Sequence, residues 1–187
     1  MNDLLQAQQD MRRAYVSGAT GILASALAWA AAAGTAFFIS AERSVWVLFI
    51  GGMLIHPVAV LLDKAFGASG SHAKNNPLGM LAAATTLWLI FSLPLAYVAH
   101  LQQMEWFFPA MLLVIGGRYL TFATIFGMRL YWALGLTLAG AAAALAYFEA
   151  SAQIAALAGS AIEFVFAIAA FVLHARWSKA QSGAPSR

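Results

Sequence analysis

The sequence predicts an all-α membrane protein, a bundle of about six transmembrane helices, on three observations. Hydrophobic residues make up 63% of the 187 residues and charged residues only 9%, whereas ordinary soluble domains contain about 25% charged residues. The apolar residues fall into long runs separated by short polar breaks. Lysine and arginine gather at alternate ends of those runs. This composition excludes a water-soluble globular domain.

Six segments are long enough to cross a hydrocarbon core of roughly 30 Å, which takes about 20 apolar residues. We predict helices at residues 14–40, 45–66, 77–100, 105–127, 128–150 and 152–176. They form a single domain over residues 1–177, and the tail at residues 178–187, rich in Ser, Gly and Pro, is expected to be disordered. Residues 1–13 are polar, carry no predicted helix and lack the pattern of a removable signal peptide.

The basic residues indicate the orientation of the bundle. With the N-terminus inside, the cytoplasmic side receives Arg12, Arg13, Lys64, Lys74, Arg129, Arg176, Lys179 and Arg187. Arg43 alone falls outside. Because cytoplasmic loops carry an excess of Lys and Arg, we predict that both termini are cytoplasmic. The lipid bilayer is the expected partner, and no basic stripe indicates nucleic acid.

Motifs for an enzyme or a metal site are missing from the sequence. The chain has no Cys, which excludes disulfides and thiolate metal sites. The histidines lack the spacing of metal ligands, and no Gly-rich phosphate loop or nucleophile elbow is present. We therefore predict no cofactor, no metal and no catalytic residue, although a triad assembled in space leaves no sequence motif.

Three ionisable residues lie near the middle of predicted helices: His56, Arg118 and Glu163. A charge at the bilayer centre costs at least about 2.5–3.5 kcal/mol, so such groups face the bundle interior and find partners. Arg118 and Glu163 lie roughly 20 and 17 Å from the outer ends of their helices, and His56 lies at a similar depth. These residues, with Tyr119 beside Arg118, are the candidate ligand-binding group.

Three functions remain open on these residues. In the first, a polar cavity binds or transports a small solute, with Arg118 as anion anchor, Tyr119 as a hydrogen-bonding aid, and His56 or Glu163 as proton carrier. In the second, Arg118 and Glu163 form a buried ion pair that fixes helix packing in a structural or regulatory protein. The third, an intramembrane lipid-modifying enzyme, is disfavoured by the missing motifs.

The second predicted helix carries further polar features. Pro57 interrupts its backbone hydrogen bonding, so the helix is expected to be kinked or locally unwound near His56. At its cytoplasmic end, Asp63 is expected to be solvated and Lys64 to extend toward the interface.

The fifth helix carries the small residues Ala139, Gly140, Ala143 and Ala144. Such residues serve a homo-oligomer and packing within one chain equally well, so both remain open.

A resemblance extends over nearly all six helices. It rests on Gly51-Gly52 through His56-Pro57, Asp63-Lys64, Asn76-Pro77-Leu78-Gly79 and Gly116-Gly117-Arg118-Tyr119-Leu120-Thr121-Phe122. In these stretches the chain resembles a family of small uncharacterised bacterial multi-pass membrane proteins, a domain of unknown function. In that family His commonly precedes the Tyr and Pro precedes the Phe, where this chain has Arg118 and Thr121. The resemblance implies a bacterial inner-membrane protein and no particular activity.

Overall fold

The computed structural model describes residues 2–182, which are helical apart from short connections. The seven α-helices are α1 Asn2–Ala14, α2 Ala19–Phe38, α3 Ala41–Ala65, α4 Pro77–Gln102, α5 Phe107–Phe126, α6 Leu130–Tyr147 and α7 Ala152–Ser182. Short 3₁₀ turns at Val16–Gly18 and Met104–Trp106 precede α2 and α5. The six helices α2 to α7 are long and apolar enough to cross a membrane. The all-α fold and six apolar helices of spanning length are therefore confirmed.

The ends of the spanning helices carry recognisable caps. The Ser40 side chain accepts a hydrogen bond from the Arg43 N–H at the start of α3, and Asn76 does the same for Leu78 at the start of α4. Both side chains satisfy N–H groups that have no partner inside the helix. α3 is one helix from Ala41 to Ala65 with Pro57 inside it, so of the expected kink or local unwinding at Pro57, the unwinding does not occur.

The bundle is built on two central helices. α2 packs between α3 and α7, α5 packs between α4 and α6, and α7 joins the two groups through contacts with α6 and α5. Trp29 of α2 is fully buried and packs against Phe108 of α5, with ring centroids 6.1 Å apart. A Cβ at Gly159 would lie 2.8 Å from the Trp29 ring. The glycine therefore allows α7 to approach α2 closely.

The crossing of α5 and α6 also depends on small residues. A Cβ added at Gly116 would lie 2.9 Å from the Gly135 carbonyl oxygen, and one at Gly135 would lie 2.7 Å from that of Gly116. The two backbones touch at this point. Gly140, Ala143 and Ala144 lie on the exposed side of α6 and take no part in this crossing.

The polar N-terminal stretch forms a helix that the sequence prediction missed. α1 packs against α4 and α5 at the end of the bundle where the α3–α4 loop lies. Asp10 accepts hydrogen bonds from Asn76 Nδ2 at 2.7 Å and from the Ala73 N–H at 3.0 Å. Gln8 donates to the Thr124 carbonyl oxygen at 2.8 Å. We call this the inner end of the bundle, following the predicted orientation.

The turn between α1 and α2 has an unusual backbone. Val16, Ser17 and Gly18 all have positive φ, of 48°, 55° and 82°. A β-branched residue is rarely found there, because its side chain crowds the backbone in the left-handed region. The Tyr131 hydroxyl of α6 holds the turn by donating to the Ser17 carbonyl oxygen at 2.7 Å.

The last helix is longer than predicted. α7 has 31 residues, which corresponds to about 46 Å and exceeds the roughly 30 Å hydrocarbon core. It continues through Ser182, so the first five residues of the predicted disordered tail are helical. Residues 183–187 of that tail lie outside the described residues.

Replacing Gly18 by Ala tests the α1–α2 turn. A Cβ at this position would overlap the Tyr131 hydroxyl and the Phe126 ring, and a strained backbone conformation costs of order 1–3 kcal/mol. We expect Gly18→Ala to lower the free energy of unfolding by about 2 kcal/mol or more, measured by thermal unfolding of the purified protein in detergent. Gly21→Ala is the control, because nothing lies within 4 Å of its added Cβ. Equal melting temperatures for the two variants would contradict this description of the turn.

Candidate functional site

Glu163 of α7 is a fully buried carboxyl group at mid-membrane depth, with 0% of its surface exposed. The hydroxyl groups of Ser25 on α2 and Tyr119 on α5 lie close to it. Their approach falls short of full hydrogen-bond geometry, and neither carboxyl oxygen has another partner among the described residues. An unpaired buried carboxyl group is strongly unfavourable, so this side chain stands out among the polar groups of the bundle.

Arg118 of α5 is half-buried one helical position before Tyr119. Its Nη2 donates to Thr86 Oγ1 of α4 at 3.0 Å, and its guanidinium carbon lies 5.2 Å from the centre of the Phe122 ring. The buried Nε has no acceptor. Since a guanidinium carries five N–H donors, Thr86 satisfies only a small part of its hydrogen-bonding capacity.

The structure places Arg118, Tyr119 and Glu163 close together, but Arg118 and Glu163 do not form the ion pair that was one of the open alternatives. The charges of Arg118 and Glu163 are close enough to influence each other. The guanidinium nevertheless bonds to Thr86, while the carboxyl oxygens remain without a hydrogen bond. A buried ion pair that fixes helix packing is therefore not the arrangement in this structure.

Arg118 opens onto a cleft of about 380 Å³ between α4 and α5. The cleft is lined by Ala84, Thr85, Trp88, Gly117, Arg118 and Thr121. The two threonine hydroxyls donate to carbonyl oxygens of their own helices, Thr85 to Ala82 and Thr121 to Arg118. Arg118 is thus the one charged group among the lining residues, and the rest of the wall is largely apolar.

His56 lies outside this group. It is exposed on α3, the helix that packs along α2. The carboxylate whose charge interacts with it is Asp63, two turns further along the same helix. Of the four predicted binding residues, the structure therefore brings three together and separates the fourth.

Asp63 is buried, and the expectation that it is solvated was wrong. Its exposed fraction is 1%, and Thr20 of α2 donates to its Oδ1 at 2.6 Å while Oδ2 has no partner. The loop after α3 folds back over this end, because the Gly70 N–H donates to the Ala14 carbonyl oxygen at 2.9 Å. This loop and the α1–α2 turn exclude water from the carboxyl group.

Further hydrogen bonds close the inner end around Asp63. The Tyr15 hydroxyl lies 2.7 Å from His72 Nδ1. Burial raises the pKa of the Tyr15 hydroxyl, which therefore stays protonated and shares one hydrogen bond with the His72 ring. The Ser17 hydroxyl lies 2.8 Å from Nδ1 of His174 on α7. The loop, the turn and α7 are thereby tied together.

One missed contact carried a signal in the sequence. Thr86 lies about 14 Å from the inner start of α4, and Arg118 lies about 12 Å from the inner end of α5. If α4 and α5 are assumed to be neighbours, this similar depth makes Thr86 a candidate partner of Arg118. The sequence gave no comparable indication of the contacts of Ser25 and Asp63, because the spacing of residues along the chain does not show which helices pack together.

Within residues 2–182 no three His, Asp or Glu side chains lie close enough to share a metal ion.

Six apolar spanning helices with a polar group at mid-depth define a multi-pass helical membrane protein. Residues 4–173 match the model described as Family of unknown function (DUF7010), and the chain belongs to that family. No curated protein and no solved structure matches the chain.

Replacing Glu163 by Gln distinguishes an unpaired carboxyl group from an ion pair. Gln keeps the shape and removes the charge, so we expect the free energy of unfolding to stay within about 1 kcal/mol of wild type or to rise, because no hydrogen bond is lost. Breaking a buried ion pair would instead cost about 3–5 kcal/mol. Thermal unfolding in detergent gives the answer, and exposed Glu149→Gln serves as the control. A loss of the larger size would show that Arg118 and Glu163 pair.

Proposed function

We propose that the protein binds and transports a small anionic solute, with Arg118 as the anchor for the anion. The observation that carries the proposal is the half-buried guanidinium, which makes a single protein hydrogen bond and opens onto a cleft of about 380 Å³. Its free donors match a carboxylate or phosphate, which accept paired N–H bonds from arginine. The apolar walls fit a solute with apolar surface beside its anionic group.

Glu163 supplies a proton-coupled step in this proposal. Arg118 is close enough for its charge to stabilise the Glu163 carboxylate through space, without a direct bond, and a bound anion would offset that charge. When the solute occupies the guanidinium, Glu163 remains as an unpaired group in apolar surroundings and takes up a proton to avoid an isolated buried charge. Each bound anion is thus accompanied by a proton, and acidic conditions favour binding.

The other two functions make different demands on the site. A structural or regulatory role would be favoured by hydrogen bonds that hold Arg118 within the protein, whereas its Nε has no acceptor among the described residues. A lipid-modifying enzyme would turn over a lipid or polyprenyl substrate in detergent, where no gradient drives transport. Such turnover would replace the present proposal with an enzymatic one.

Ligand-dependent thermal stability of the Arg118→Lys variant tests the anchor. A panel of small carboxylates, phosphates and cations is added to the purified protein at two pH values. At about 100 times its dissociation constant, a ligand adds roughly 2.7 kcal/mol to wild-type stability. We expect one anion class to stabilise the wild type, and Arg118→Lys to weaken its binding at least tenfold, since a point ammonium cannot replace the guanidinium fork.

Two controls make that experiment specific. Arg129→Lys makes the same change at an exposed position away from the cleft and should bind like wild type. Glu163→Gln should remove the stronger binding at low pH. Stabilisation that survives in Arg118→Lys, or the absence of stabilisation across the panel, would contradict solute binding at Arg118.

We further propose that the chain lies in a bacterial cytoplasmic membrane with both termini in the cytoplasm. The distribution of Lys and Arg supports this orientation. It places the α3–α4 loop inside and the α6–α7 connection outside.

Because the chain has no Cys, single-cysteine variants can test the orientation. Ser71 in the α3–α4 loop and Ser151 before α7 are both exposed. In intact cells, a membrane-impermeant maleimide should label Ser151→Cys and should label Ser71→Cys only after permeabilisation. The reverse pattern would invert the proposed orientation.

A further inference from the structure

A second cleft, of about 250 Å³, lies at the inner end between the α1–α2 turn, the α3–α4 loop and α7. His174, which lines it, is about 33 Å along α7 from Ala152 at 1.5 Å per residue. That distance slightly exceeds the roughly 30 Å hydrocarbon core. The cleft therefore lies at the depth of the lipid headgroups, whichever way the bundle is oriented.

The polar side chains lining this cleft can all donate hydrogen bonds. Arg13, His174 and Ser178 each bring hydrogen-bond donors, and none of the described lining residues is Asp or Glu. Arg13 and Ser178 are exposed, so their donors are accessible. A set of donors that includes a guanidinium and lacks a carboxylate is suited to an anion.

A hydrogen bond with Ser17 holds the His174 ring in place. Its Nδ1 lies 2.8 Å from the hydroxyl of Ser17, which is fully buried. Because the Ser17 hydroxyl has no other acceptor among residues 2–182, donation to Nδ1 is the arrangement that leaves its proton paired. The neutral imidazole then carries its own proton on Nε2, which becomes a donor for a ligand. Tyr131 holds Ser17 in place through the Ser17 carbonyl oxygen.

Aromatic side chains form the apolar part of the cleft. Trp177 is held by Arg12, whose guanidinium carbon lies 5.2 Å from the centre of a Trp177 ring. Phe66 packs on Phe171 with ring centroids 4.9 Å apart and is itself exposed. Donors beside aromatic rings at this depth match a phosphate at the boundary between headgroups and acyl chains.

We infer that this inner-end cleft binds a phosphate group at the membrane interface. Arg13 and the His174 Nε2–H donate to the phosphate oxygens, and Ser178 adds a third donor. The phosphate belongs either to the headgroup of an anionic phospholipid or to phosphate in solution, since both present the same oxygens. The site is separate from the Arg118 cleft and does not rest on the proposed transport function.

The test measures the melting temperature of the purified full chain in detergent at fixed ionic strength. One arm titrates phosphatidylglycerol against phosphatidylcholine in mixed micelles, and the other titrates inorganic phosphate. We expect ligand to raise the melting temperature of the wild type. The same rise in Arg13→Gln should require at least a tenfold higher ligand concentration. Ser178→Ala, which leaves the Ser17–His174 bond intact, should weaken binding several-fold.

Arg176→Gln is the matched control. Like Arg13→Gln it removes one positive charge, but Arg176 lies on α7 and does not line the cleft. Stabilisation by phosphatidylglycerol alone, lost in Arg13→Gln and kept in Arg176→Gln, identifies a lipid headgroup. Stabilisation by inorganic phosphate with the same variant pattern identifies a site for soluble phosphate. If Arg13→Gln and Arg176→Gln weakened binding equally, the attraction would be a general effect of charge and the inference would be overturned. The absence of stabilisation by either ligand would also overturn it.

Discussion

A polar group within the hydrocarbon has no water to bond with, so it must find its partner inside the protein. Most hydroxyl groups of this bundle do so locally, by donating to a carbonyl one turn earlier in their own helix; these are Thr35, Thr85, Thr86 and Ser92. Ser160 does so across helices by donating to Ala26. Seven buried polar atoms of the described residues have no partner, and they include the Nε of Arg118 and both carboxyl oxygens of Glu163. Among these side chains, Glu163 alone leaves two atoms unpaired, which distinguishes the mid-membrane site.

The helical architecture followed from the sequence because hydrophobicity over about 20 residues is nearly sufficient to define a spanning helix. The N-terminal helix was missed because α1 is short and polar, and its stability comes from bonds such as Asp10 to Asn76. The backbone of Val16 and Ser17 was equally hidden, since neither residue type favours positive φ. Tertiary contacts with Tyr131 impose that turn.

The candidate site was predictable in part. The position of Arg118 and Glu163 at mid-depth was enough to select them, because ionisable residues are rare within the hydrocarbon and usually have a functional role there. Depth alone could not decide whether they pair, nor could it exclude His56, because depth contains no information about which helices are neighbours. In the structure His56 is exposed on α3 and lies outside the group. For the same reason, the sequence did not predict the Thr20–Asp63 hydrogen bond or the inner-end cleft.

An experimental structure of crystals soaked in bromide would test the central claim most directly, because bromide can be located by its anomalous scattering. The account predicts a bromide within hydrogen-bond distance of the Arg118 guanidinium in the α4–α5 cleft, with the Glu163 carboxyl oxygens not bonded to Arg118. A direct Arg118–Glu163 bond with no bromide in the cleft would contradict it. In that case the two residues would form the packing ion pair, and the function would have to be sought elsewhere in the bundle.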